Sequence, residues 1–210
     1  VENDLAVLRA KTADMKAVNE NIKAVELADT YYVGETAIAI GNPEGNGISV
    51  TQGIISTENE LITLNIDGNW RSYRSLRIDT PLYSGNSGGG LFNSAGKLIG
   101  ITNAGNTEDQ NINYAVPLEI VTGTVDNIIY YANDGDDGTN NAYTVDLGVT
   151  LSSSNSKYVY DASAGYGQVS EDVRIDSVVS ASIAANAGAK VGDILRGVII
   201  NGEESEVTRT

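Results

Sequence analysis

Ser84-Gly85-Asn86-Ser87-Gly88-Gly89-Gly90-Leu91 is the stretch on which the fold of this chain turns. A serine hydroxyl attacks a carbonyl only where the chain exposes it on a tight bend, with main-chain N–H groups beside it to receive the developing oxyanion. Glycines on both sides of Ser87 permit that bend. Gly85 can turn its N–H toward the same point as the N–H of Ser87, while Gly88 and Gly89 let a substrate backbone approach with no Cβ in the way. The plain alternative is a glycine-rich hairpin turn with a chance serine, and the flanking sequence decides between the two.

Outward from that turn, residues 1–116 break into short β-branched or alternating runs punctuated by glycine and asparagine, which indicates an all-β barrel. Strands are expected at 36–40, 48–56, 61–66, 73–79, 89–92, 97–102 and 113–116. Turns separate them at Gly41-Asn42-Pro43-Glu44-Gly45, Asp67-Gly68-Asn69 and Asn93-Ser94-Ala95-Gly96. Leu5-Ala6-Val7-Leu8 reads as a further, buried strand. At Pro117 the period changes. Val121, Val125, Ile128 and Ile129 fall on one helical face, so a helix of about four turns with Pro117 at its first position is expected to close the barrel. Residues 133–142 are polar and glycine-rich, a flexible linker between a first domain at 1–132 and a second at 143–210. Their aspartates lack the spacing and terminal Glu of a calcium loop. Beyond the linker, β-runs at 144–151, 173–179 and 194–200 surround one short helix at 182–187.

Composition narrows the chemistry. Lys and Arg total 13 against 28 Asp and Glu, and the net charge of −15 repels phosphate backbones and anionic lipid, so neither nucleic acid nor an anionic membrane is an expected partner. There is no cysteine, which excludes disulfides and thiolate chemistry. There is no histidine either, so the usual general base and the commonest transition-metal ligand are both missing. No metal or cofactor is expected, and a serine hydrolase built from these residues alone is incomplete.

The order of motifs carries a resemblance. Ala39-Ile40-Gly41-Asn42-Pro43, Val50-Thr51-Gln52-Gly53-Ile54-Ile55-Ser56, Leu76-Arg77-Ile78-Asp79, Gly85-Asn86-Ser87-Gly88-Gly89, Leu98-Ile99-Gly100-Ile101 and Tyr114-Ala115-Val116-Pro117 succeed one another in this chain. In that order they resemble the trypsin-like fold of the HtrA serine proteases. The resemblance implies a mainly β chain: the C-terminal barrel of a trypsin-like double β-barrel protease, followed by an incomplete PDZ-like α+β domain. It implies Ser87 as nucleophile, the N–H groups of Gly85 and Ser87 as the oxyanion hole, and Asp4 as the aspartate that orients an imidazole. In this fold the histidine precedes the aspartate, so it is expected before Val1, in a chain read as truncated at both ends. Gly90 departs from the family's usual proline. The resemblance also puts Pro81, six residues before Ser87, at the position that lies at the base of the S1 pocket in trypsin-like enzymes, and the lack of an acid there implies small or medium apolar P1 residues.

In the second domain, Asp146-Leu147-Gly148-Val149-Thr150 resembles the PDZ loop in which Leu147, Gly148 and Val149 offer N–H groups to a peptide C-terminus. The implied function is endoproteolysis of unfolded or misfolded polypeptides through an acyl-enzyme, by a homotrimer outside the cytoplasm. The 210-residue chain itself is expected to be inactive, with the turn around Ser87 distorted and Asp4 away from it. The alternatives are a non-catalytic pseudoprotease or chaperone, and a β scaffold carrying a peptide-binding module.

Overall fold

Ala37, Ala39, Ile55, Leu76, Ile78, Leu91, Ile99 and Ala115 lie at alternate positions of their strands with at most 2% of their surface exposed. Alternation at period two puts them on one face, and the strands that carry them close around them. The computed structural model of the protein describes residues 3–66, 68–105, 111–133, 141–200 and 202–208. The chain divides into two compact units, Val1–Ala142 and Tyr143–Thr210.

The first unit contains a closed antiparallel barrel. Its strands are β1 (Thr36–Gly41), β2 (Ser49–Ile66), β3 (Asn69–Ile78), β4 (Gly90–Phe92), β5 (Leu98–Gly105) and β6 (Asn113–Pro117), in the spatial order β1-β2-β3-β6-β5-β4. The expected strands at 48–56 and 61–66 are one continuous strand, β2, whose pairing with β3 slips between Ile55 and Thr57 and again between Thr57 and Glu60. Such bulges let a strand bend without ending. This one tucks in Glu58, which is 2% exposed and accepts a hydrogen bond from the Val33 N–H at 3.1 Å.

Two expectations in this unit are corrected. Leu5-Ala6-Val7-Leu8 forms no strand, and Leu8 is 92% exposed. A strand needs a neighbour for its N–H and C=O groups, and no described residue pairs with this run. Leu5 packs against the small cluster of Ile62, Val116 and Val121. The run leads into a helix, α1 (Thr12–Val18), that buries none of its residues. The second correction is by one position. Pro117 ends β6 opposite Gly100, and the closing helix α2 (Leu118–Asn133) begins at the next residue. On α2 the predicted stripe grades outward, from Val121 at 9% exposed to Ile129 at 44%.

In the second unit β7 (Val149–Asp161) and β8 (Tyr166–Val178) form a long hairpin, paired from Val149 with Val178 to Asp161 with Tyr166. A short helix, α3 (Ile183–Ala187), comes next, and its first turn is capped by Ser182, whose Oγ accepts the Ala185 N–H. The strand β9 (Ile194–Leu195) extends the hairpin sheet along β8, and β10 (Gly197–Ile200) with β11 (Glu203–Glu206) forms a separate two-stranded sheet. The expected strand at 144–151 therefore starts only at Val149, and the run at 194–200 is split at Arg196. The expected linker at 133–142 begins on the last residue of α2, and 134–140 lies outside the described residues, as does Asp67 of one expected turn.

Candidate active site

The turn at Ser87 is held from two sides. Toward β5, the Asn86 carbonyl accepts from the Gly89 N–H at 2.9 Å and from Thr102 Oγ1 at 2.5 Å. The Gly88 N–H donates to the Thr102 carbonyl, and the Thr102 N–H to the Gly89 carbonyl, at 2.8 and 2.9 Å. Toward the loop after β1, glycine is obligatory. A Cβ on Gly85, whose φ is +98°, would lie 2.5 Å from the Asn42 carbonyl oxygen and 2.7 Å from the Glu44 nitrogen. A Cβ on Gly89 would fall on the Ile40 carbonyl, and one on Gly41 on the side chain of Asn86. The turn and the loop thus meet backbone to backbone. The expectation of a distorted turn is corrected: β5 and this loop supply the support.

The peptide planes around Gly85 are fixed by the same loop. The Glu44 N–H donates to the Ser84 carbonyl at 2.9 Å, and the Asn42 N–H to the Gly85 carbonyl at 3.3 Å. In a trans peptide N–H and C=O point opposite ways, so the Gly85 N–H is directed away from the loop. Among the described residues neither it nor the N–H of Ser87 meets an acceptor. Two free donors therefore flank an exposed serine. Asn86 between them is 2% exposed, and its Oδ1 is buried without a partner.

Ser87 and Asp4 share a neighbour. Ser87 Oγ donates to the main-chain oxygen of Asn103 at 2.6 Å, and the side-chain Nδ2 of the same asparagine donates to Asp4 Oδ2 at 2.9 Å. Asp4 is therefore beside the turn, not away from it. Asn103 is 9% exposed and sits on β5 next to Thr102, so the strand that anchors the turn also carries the bridge. Sequence reading missed it. A buried asparagine in a core strand is itself a signal, since buried amides must be satisfied.

Pro81 lies on the other flank, its carbonyl accepting from Thr51 Oγ1 at 2.7 Å. Nearby, the buried Asn113 amide donates to the Thr80 carbonyl at 3.0 Å and faces Gly105. In the second unit the Gly148 N–H is held by Asp146 Oδ1 at 2.7 Å, the Leu147 carbonyl accepts from the Ala184 N–H, and the Gly148 carbonyl from the Val179 N–H. Leu147 is 53% exposed and Val149 opens β7.

Known proteins resemble this chain over most of its length. Residues 1–101, which include both Asp4 and Ser87, match the sequence profile of the trypsin-like peptidase domain. The chain is 32% identical over 181 residues to the periplasmic serine endoprotease DegP of Salmonella typhimurium, covering 84% of this chain and 35% of that protein. It is 30% identical over 204 residues to the serine protease Do-like HtrA of Lactococcus lactis subsp. cremoris, covering 91% of this chain and 47% of that one.

The chain belongs to the HtrA family of trypsin-like serine proteases.

Among solved HtrA structures, AlgW with a decapeptide superposes with a TM-score of 0.50 at 25% identity, covering 89% of this chain and 63% of that one. The chain thus spans between about a third and a half of the length of these two HtrA relatives.

Proposed function

We propose that Ser87 is the nucleophile of an HtrA-type serine endopeptidase that cleaves unfolded or misfolded polypeptides. The observation that carries this reading is an exposed Ser87 flanked by the unpartnered N–H groups of Gly85 and Ser87, on the barrel of an HtrA chain. In the proposed step, Ser87 Oγ bonds to the scissile carbonyl carbon as its proton passes to an imidazole. The carbonyl electrons move to the oxygen facing the two N–H groups; as that intermediate collapses the imidazolium returns its proton to the leaving nitrogen, which departs as the amine and leaves an acyl-enzyme that water then hydrolyses. The 210 residues contain no histidine, so the imidazole comes from outside them. Asp4 is suited to orient it. Asn103 occupies Oδ2 and leaves Oδ1 for an imidazole N–H.

Supporting elements extend the reading. Pro81 in place of an acid favours small or medium apolar P1 residues. Tyr143–Thr210 is read as an incomplete PDZ-like domain whose loop at Leu147, Gly148 and Val149 takes peptide C-termini. One of its three N–H groups, that of Gly148, is already engaged by Asp146. A trimeric protein outside the cytoplasm is the assembly that the family implies. The missing histidine favours a second reading, a pseudoprotease that binds unfolded chains without cutting them.

The two readings separate on the full-length protein given unfolded casein. Cleavage that disappears in Ser87→Ala is the expected result; binding without cleavage leaves the pseudoprotease.

A further inference from the structure

We infer that Glu44 is a positioning residue for the oxyanion hole, acting through its main chain: its left-handed backbone aims an N–H at the Ser84 carbonyl and so keeps the Gly85 N–H turned toward the substrate side. The inference rests on the reading of Ser87 as nucleophile.

Glu44 has φ +55° and ψ +14°, a conformation that residues other than glycine, asparagine and aspartate seldom adopt. The loop around it imposes that geometry. The Gly45 N–H donates to the Asn42 carbonyl at 3.2 Å, the Asn46 N–H to the Pro43 carbonyl at 3.1 Å, and the Gly47 N–H to Asn42 Oδ1 at 2.8 Å. Pro43 adds a fixed φ immediately before it. Strained residues persist where their surroundings over-determine them, and the strain points to use of the group it aims. Here that group is the Glu44 N–H, 2.9 Å from the Ser84 oxygen. The Glu44 side chain is exposed, and among the described residues its one hydrogen bond is from the Asn46 amide at 3.5 Å, at the limit of such a bond.

The consequence is directional. If the Ser84 carbonyl lost this donor, the Ser84–Gly85 peptide would be free to rotate, and its oxygen in place of the Gly85 N–H would face the substrate carbonyl. Gly85 allows such rotation because it lacks a Cβ. The Asn42 N–H, at 3.3 Å from the Gly85 carbonyl, is the weaker of the two restraints on this segment.

The test is the rate at which a fluorophosphonate labels Ser87 in the full-length protein, since the phosphonyl oxygen occupies the oxyanion hole. Melting curves confirm that each variant folds. Glu44→Val disfavours the left-handed backbone and is expected to label about 100-fold more slowly than wild type, with kcat on a peptide substrate falling equally and KM unmoved. Glu44→Ala, the gentler change, is expected to lose about 10-fold and carries the test if the valine variant does not fold. Glu44→Gly keeps the N–H and the backbone shape, and is expected to label about 100-fold faster than Glu44→Val. Wild-type rates in Glu44→Val and Glu44→Ala, or a Glu44→Gln variant as slow as valine, would overturn the inference while leaving Ser87 as nucleophile. Absence of labelling at Ser87 in the wild type would remove both.

Discussion

Ser87 Oγ donates a hydrogen bond to the main-chain oxygen of Asn103 at 2.6 Å, and the side chain of that same asparagine holds Asp4 at 2.9 Å. The hydroxyl proton is directed to a carbonyl, which cannot remove it. A nucleophile so placed needs a base to draw the proton elsewhere. With no histidine among the 210 residues, about 10³ to 10⁴-fold over water is the most that binding and the oxyanion donors can contribute. Unfolded casein incubated with the purified chain should therefore remain intact on a gel. Fragments that vanish with Ser87→Ala would mean that some other group here serves as base.

Asp4→Asn is expected to leave the fold unchanged, because the asparagine oxygen can still accept from Asn103 Nδ2. Turnover of the full-length protein should nonetheless drop by about four orders of magnitude, since an amide favours the wrong imidazole tautomer and cannot stabilise the imidazolium. Steady-state kinetics beside a melting curve separates the two effects. Near wild-type kcat in this variant would take Asp4 out of the mechanism.

Gly85→Val combines two injuries. The position has φ +98°, and any Cβ would press on main-chain atoms of Asn42 and Glu44 that have no rotamer to retreat into. If the outcome is a rotated N–H, the barrier to acylation rises by roughly 3 to 4 kcal/mol, the effect of one lost oxyanion donor. The readout is kcat with casein-derived peptides, with circular dichroism to show that the barrel persists.

The strands of the barrel were legible because its core alternates at period two around small residues such as Ala37 and Ala39, and because its turns carry glycine or asparagine. Ser87 and Gly85 were legible for the same reason: a tight exposed bend leaves a compositional trace. Asn103 stands out only as an asparagine within a core strand; what it bridges was not legible, since its two partners lie 16 and 99 residues away and no spacing rule reaches that far. The loop of Asn42–Glu44 was read as a turn, but its contact with Gly85 is backbone to backbone, which side-chain identity does not encode. Leu5–Leu8 misled in the opposite direction, an apolar run with no ladder partner. In the second unit Ser152-Ser153-Ser154 pairs with Arg174, Val173 and Asp172 with almost no burial, so it lacks the alternation by which strands are recognised.

Burial pushes the Glu35 carboxyl up from its ordinary value, against the opposing pull of the Tyr32 N–H and the Asn93 amide. The folded state thus holds the proton more tightly than the unfolded chain. Stability from the protonated form is fully present below the unfolded value and is lost as pH rises through the folded one. Glu35→Gln should consequently melt higher than wild type at pH 7, with the difference closing at acidic pH where both side chains are neutral. A variant that melts lower at pH 7 would show that the carboxylate charge is used in the fold.

The central claim is that Ser87 is the activated nucleophile of this HtrA chain, and covalent labelling tests it most directly. The full-length protein is treated with a fluorophosphonate, digested, and mapped by mass spectrometry. Modification confined to the peptide containing Ser87, and absent when Asp4 is changed to Asn, is the predicted result. Labelling at another serine, or none under conditions that label trypsin, would contradict it.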